Sequence, residues 1–121
     1  MTNQTVRLVI LESPFAGTPA ETTKNITYAR ACMLDCLLRG DAPYASHLLY
    51  TQEGVLDDTV PEQRELGIEA GLAWGQKAEA TVVYTDRGIS SGMILGIERA
   101  RQQGRPIETR SLNGSGTLPI P

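Results

Sequence analysis

Two regimes of apolar patterning alternate along this chain. Val6 to Leu11, VRLVIL, is an apolar run with little polar interruption, the pattern of a strand buried on both faces. After a loop punctuated by Pro and Gly, Glu12 to Gly17, the period changes. Ile26, Ala29, Met33, Cys36 and Leu37 fall at i, i+3, i+7, i+10 and i+11, one stripe of a helix. Thr22 and Thr23 are its expected N-caps and Gly40 its stop. Ala42 to Ser46 reads as a brief second strand, and His47 to Val60 as a long connection of the kind that often carries function. Pro61 opens a second helix, with Glu62 and Glu65 at its positive end and Leu66, Ala70, Ala73 and Trp74 as its expected buried stripe. ATVVYT, Ala80 to Thr85, is the third strand. Asp86 to Ser91 is a turn rich in Gly and Ser. Met93, Ile97 and Ala100 mark a third helix ended by Gly104, and Pro106 to Arg110 begins a fourth strand.

Strands alternating with helices predict a parallel sheet with right-handed crossovers. The fold class expected is α/β: a small doubly wound, Rossmann- or flavodoxin-like parallel sheet of about four to five strands with helices on both faces. Residues 1–112 form the expected domain and 113–121 a C-terminal tail containing Gly and Pro. In such sheets a ligand binds outside the carboxyl ends of the strands, where neighbouring crossovers go to opposite faces. Three segments meet that condition. The first holds Glu12, Ser13, Phe15 and Gly17; the second runs from His47 through Tyr50 to Asp58; the third is Asp86 to Met93, with Ser90, Ser91 and Gly92 leading into a helix.

Each residue carries two readings. The Ser90–Ser91–Gly92–Met93 turn offers hydroxyls and free N–H groups to a phosphate or other anion, or simply caps its helix. It matches neither the P-loop nor the dinucleotide fingerprint. His47, the one histidine of the chain, either donates to a ligand or acts as a general acid near pH 7, or is a structural hydrogen-bonding residue. Tyr50 stacks on a base or packs under the loop. Asp86 fixes a sugar hydroxyl or the loop backbone. Asn25 stands near the first-helix N-terminus, where it holds the loop closed and borders the ligand. Asp57 and Asp58 read as a solvated acidic turn, and Arg30 as a solvated helix face.

Eleven basic residues against fourteen acidic give a net charge of −3, without the electrostatic footprint of a protein that binds polymeric nucleic acid. No apolar run approaches the ~18–20 residues needed to cross a bilayer, so no membrane partner is expected. Met1 to Gln4 is polar and lacks a basic n-region, so no secretory signal is expected and the cytoplasm is the expected compartment. Cys32 and Cys36 lie on one helix face with no His or Cys cluster to join them, so they read as core thiols. Neither a metal nor a cofactor is expected. Leu48, Leu49 and Val55 are apolar residues of the long connection and predict a homo-oligomer, through a two-fold contact.

The series LESPFAG, Asn25 with Tyr28-Ala29-Arg30, PYASHLLYTQ with GVLDD, VVYTDRGISSGM and GIERARQQGRPI resembles the nucleoside 2-deoxyribosyltransferase-like superfamily. It is most similar to the small phage and bacterial domains of uncertain function in that superfamily. The similarity spans Val6 to Leu112, and D-x-G-x-S-x-G-M followed by A-x-x-x-G-x-P-[IV] is its most specific part. The resemblance implies a compact α/β fold, self-association, and a nucleoside or nucleotide bound at the strand ends. In the superfamily's enzymes a helical Glu, four residues before the Ala of A-x-x-x-G-x-P, attacks the anomeric carbon and forms a glycosyl-enzyme ester. Here that position is Gly96, which has no side chain to attack with.

Glu12 ends the first strand beside the space that Gly96 leaves. It is the candidate catalytic residue, standing in for the lost carboxylate, or else it hydrogen-bonds a ligand hydroxyl or caps the nearby helix. The function expected is therefore a nucleoside- or nucleotide-binding domain that acts on or holds an N-glycosidic compound, as an N-glycosidase or a deoxyribosyltransferase-like enzyme. The alternative is a non-catalytic binder that sequesters a nucleotide-derived signal, such as a phage anti-defence protein working in the bacterial host cytoplasm.

Overall fold

The computed structural model describes residues 6–113. Of the expected tail, 113–121, only Asn113 is among them, and the reading made on Met1 to Gln4 lies outside them. Four strands, β1 (Arg7–Glu12), β2 (Asp41–Tyr44), β3 (Ala80–Tyr84) and β4 (Ile107–Arg110), form one sheet in the order β2-β1-β3-β4. Every pairing is parallel, with Ile10 opposite both Tyr44 and Thr81, and Glu12 opposite Val83. Between them lie α1 (Pro19–Leu38), α2 (Ser46–Leu49), α3 (Pro61–Gly75) and α4 (Ser91–Gln102). This is the doubly wound α/β fold, with its strand order reversing between β1 and β3.

Alternation along the strands separates the two layers. Val9 and Leu11 of β1 and Ala80, Val82 and Tyr84 of β3 pack with Cys32 and Cys36 of α1. On the opposite face Val83 packs with Met93 and Ile97 of α4. Both cysteines are fully buried free thiols, the core role read from their spacing. β2 is an edge strand, which is where Pro43, with no N–H to give a central ladder, is tolerated.

Several boundaries differ from the sequence reading. The α1 N-cap is Thr18, four residues ahead of Thr22. Thr18 Oγ1 accepts from the Glu21 N–H at 3.2 Å and Glu21 Oε1 accepts from the Thr18 N–H at 2.9 Å. With Pro19 at the first helical position, this capping box outcompetes the later threonines. The buried stripe of α1 is Asn25, Ala29, Cys32 and Cys36, while Leu37 is exposed. Gly40 ends the helix at φ +89°, a left-handed conformation that glycine adopts without strain. β2 runs from Asp41 to Tyr44, and α2 starts at Ser46, the last residue read as strand, and continues to Leu49 in the segment read as a loop.

The largest correction concerns α3. Leu66 and Trp74, expected in its buried stripe, are 63% and 56% exposed, and Ala73 is exposed as well. The inward face is instead Gly67, Ile68, Gly71, Leu72 and Gly75, which border a cavity. α3 packs against α2 and α4, and the space between it and the sheet is that cavity. Three of those five positions are glycines, which leave the cavity open beside Ile68 and Leu72, and the larger apolar stripe of the sequence lies on the other side.

Candidate functional site

The cavity has a volume of about 180 Å³ and opens at the carboxyl end of the sheet, beside the strand-order reversal. Glu12, Ser13, Phe15, His47, Tyr50, Ser90, Ser91, Gly92 and Met93 all line it. β1 delivers Glu12 and Ser13, α2 delivers His47, and the start of α4 delivers Ser90 to Met93.

Glu12 lies against the bare Cα of Gly96. A Cβ on Gly96 would stand 2.5 Å from Glu12 Cδ and 3.0 Å from Oε1, and closer still to Oε2. The carboxyl therefore occupies the volume that any side chain at position 96 would need. Burial pushes its pKa up to about 8, opposed by the distant charge of Arg105. At neutral pH the group is mostly a carboxylic acid, able to donate as well as accept.

Ser13 Oγ and His47 Nε2 are hydrogen-bonded at 2.7 Å, and the Phe15 ring meets the imidazole edge to face with centroids 6.3 Å apart. Burial drives the His47 pKa down to about 4. With its pKa lowered in this way the ring is neutral at pH 7. Tyr50 Oη and Tyr44 Oη are 2.5 Å apart, and the Tyr44 ring lies against Trp74, fixing both phenols on one wall.

At the mouth, Ser90 is the N-cap of α4, its hydroxyl accepting from the Met93 N–H at 3.3 Å. Met93 is also a buried member of the α4 core cluster, so it braces the wall from behind. Ser91 and Gly92 occupy the first turn, where backbone N–H groups lack partners within the helix.

Three expected residues are not in the cavity lining. Asp86 spends its carboxylate on its own chain: Tyr28 Oη and Ser111 Oγ donate to it at 2.6 Å each, and the N–H groups of Leu112 and Asn113 add to them. Burial would raise its pKa, but these donors outweigh it and hold the group at about 2. It anchors the segment after β4. Asn25 donates to the Phe15 carbonyl at 3.0 Å and accepts from Arg87 Nε, closing the loop after β1. Gly17 borders a shallower hollow between that loop and the α2–α3 connection. Leu48, expected in a two-fold contact, packs against the α1-side core.

Other lining residues were missed or read as surface. Asp58 and Arg64 form an ion pair at 2.8 Å in the cavity wall, so Asp58 is more than a solvated turn. Arg105 reaches the cavity from the stretch before β4. Gly67, Gly71 and Gly75, four apart on α3, were the visible signal of a helix face kept bare. Among the described residues no group of three or more His, Cys, Asp or Glu side chains is placed to hold a metal ion. No described helix is long and apolar enough to cross a membrane.

Residues 7–110 match the model of one family, a domain of unknown function designated DUF7768. The chain belongs to that family. No curated protein matches this DUF7768 domain. Among solved structures it is similar to a 2-deoxyribosyltransferase from the psychrotolerant bacterium Bacillus psychrosaccharolyticus, with a TM-score of 0.61 at 19% identity. The match covers 92% of this chain and 77% of that one. At that identity the likeness is one of fold, and it agrees with the doubly wound sheet of the DUF7768 domain.

Proposed function

We propose that this domain binds a nucleoside or nucleotide in the cavity and that Glu12 supplies the carboxyl group for chemistry at the glycosidic carbon. The observation that carries the reading is the Glu12 carboxyl filling the volume over Gly96. A catalytic carboxylate carried by a helix at position 96 and one carried by β1 at position 12 would reach the same hollow from opposite walls. The likeness in fold to a 2-deoxyribosyltransferase supports a ligand of the same class. The cavity's other lining supports it too: aromatic rings on one wall, and hydroxyls with first-turn N–H groups at the mouth.

In this reading the ionised Glu12 attacks the anomeric carbon. A C–O ester bond forms as the C–N bond breaks, and the base leaves with the bonding pair and takes a proton from solvent. Water, or a second base, then releases the sugar and restores the carboxylate. Because the nucleophile must be ionised, turnover should rise with pH and level off above about 8, following the raised Glu12 pKa.

A second reading, a binder without chemistry, is favoured by that same raised pKa, which keeps the resting carboxyl protonated and unreactive at neutral pH. Both are tested by pairing thermal-shift titration of nucleosides and nucleotides with chromatography for released base. A ligand at 100 times its dissociation constant should add about 2.7 kcal/mol of stability. For an enzyme, Glu12→Gln should abolish base release while keeping the shift. Gly96→Ala, which forces the Glu12 carboxyl aside, should weaken both. Shift without release at any pH up to 9 leaves the binder standing, and no shift with any of them rejects both readings.

A further inference from the structure

Arg105 is the buried charge that the reading above leaves unused. It is 9% exposed and is held on three sides: Nε donates to Thr81 Oγ1 at 2.9 Å, and Nη1 donates to the Gly75 carbonyl and to Gln103 Oε1, both at 2.5 Å. Nη2 makes no hydrogen bond among the described residues. It is not sealed in protein either, since no unpaired polar side-chain atom there is fully buried. It faces the wall made by Gly75, where an added Cβ would stand 3.2 Å away, and both residues line the cavity.

No carboxylate among the described residues pairs with this guanidinium within 4 Å; Glu12 acts on it only at longer range. Burial disfavours its charge, and Glu12, largely protonated at neutral pH, does little to offset that. A buried cation with an open donor calls for an acceptor.

The sheet register sets how deep that donor lies. Arg105 holds Thr81, which pairs with Ile10, while Glu12 pairs with Val83 two residues further along β1. Two residues of strand correspond to about 6.6 Å, comparable to the reach from a glycosidic carbon to the far edge of a base. A base that ran from a sugar at Glu12 back along the strands toward Thr81 would bring its edge to Arg105.

We infer that the part of the cavity lined by Gly75 and Arg105 is a subsite for an oxygen acceptor, held by Arg105 Nη2, which selects ligands with a keto oxygen at the edge facing it over their amino counterparts. A guanidinium only donates, so an amino group set against it would leave two donors face to face and both unpaired. The inference rests on the nucleoside reading and deepens it by naming the class of base.

The test uses pairs that exchange the keto oxygen for an amino group, with the matching change from N–H to acceptor at the adjacent ring nitrogen: inosine against adenosine and uridine against cytidine, each also as the 5′-monophosphate. Dissociation constants are measured by calorimetry, or kcat/KM where base is released. The keto member should be favoured about tenfold or more in each pair that binds. Arg105→Lys keeps the charge and loses the fork, and should bring the preference to within about threefold with binding retained. Should that variant fail to fold, Gly75→Ala provides the second arm: its Cβ crowds Nη2, leaves the bond to Thr81, and should lower the same preference. Equal binding within the pairs, or a preference for the amino member, overturns the Arg105 subsite and leaves the nucleoside reading intact. If none of the eight compounds binds, the nucleoside reading fails and takes the subsite with it.

Discussion

At the scale of single residues, Glu12 combines a strand-end carboxyl, a glycine opposite and surroundings that disfavour its charge. That combination has a signature in stability. Its pKa is about 8 folded and about 4.5 as an ordinary side chain, so the folded state holds the proton more tightly. The stability this contributes is complete below about 4.5 and is lost as pH rises through 8. Glu12→Gln removes the titration, so its melting temperature relative to the parent chain should climb between pH 5 and 9. A difference that stays flat across that range would show that Glu12 is solvated. The place of Glu12 was legible because a polar residue closing an apolar run, at a strand's carboxyl end, must face the cleft. The fate of Asp86 was not. It follows the end of β3, three residues beyond the Val83 that pairs with Glu12, and Tyr28, Ser111 and two backbone N–H groups from distant parts of the chain take up its oxygens.

At the scale of elements, α3 is the instructive helix. Its sequence places Leu66, Ala70, Ala73 and Trp74 on one face, and that face looks outward. The inner face carries Gly67, Gly71 and Gly75 beside Ile68 and Leu72, and α2 and the cavity lie there. An added Cβ on Gly71 would come within 2.7 Å of Ser46 Oγ and 2.8 Å of Ser46 Cβ. Gly71→Ala should therefore destabilise by about 1–3 kcal/mol despite the gain of roughly 1 kcal/mol in helix propensity. Leu66→Ser, on the exposed face, should change stability by no more than about 0.5 kcal/mol. Urea denaturation of both variants checks the orientation, and a larger loss from Leu66→Ser than from Gly71→Ala would mean that α3 is turned the other way. Hydrophobic periodicity identifies a helix by its apolar stripe. It has no term for a stripe of absent side chains, which is how a cavity is kept open.

At the scale of the whole molecule, an ion network ties three strands together on the α1 side. Arg110 of β4 donates to Asp41 of β2 at 2.6 Å with both side chains buried, and Arg7 of β1 bridges Asp41 and Glu108. Burial alone would raise the Asp41 pKa, but its bonds to Arg110 and Arg7 win and hold it below the usual carboxylate range. Asp41→Ala takes the nearer of two carboxylates from the buried Arg110, which keeps Glu108 at 3.2 Å, and should cost about 1–3 kcal/mol in denaturant unfolding. Glu98→Ala, which breaks the exposed pair with Arg101, should cost under about 1 kcal/mol. Taken alone, the sequence determined the order of strands and helices, the parallel sheet and the three loops that converge on its rim. These follow from local periodicity and from the handedness of crossovers. Tertiary structure alone decided which carboxylates stay open and which face of α3 looks inward. It also decided that Arg105 lines the cavity. Those outcomes depend on partners far away in the chain, whose positions no local pattern encodes.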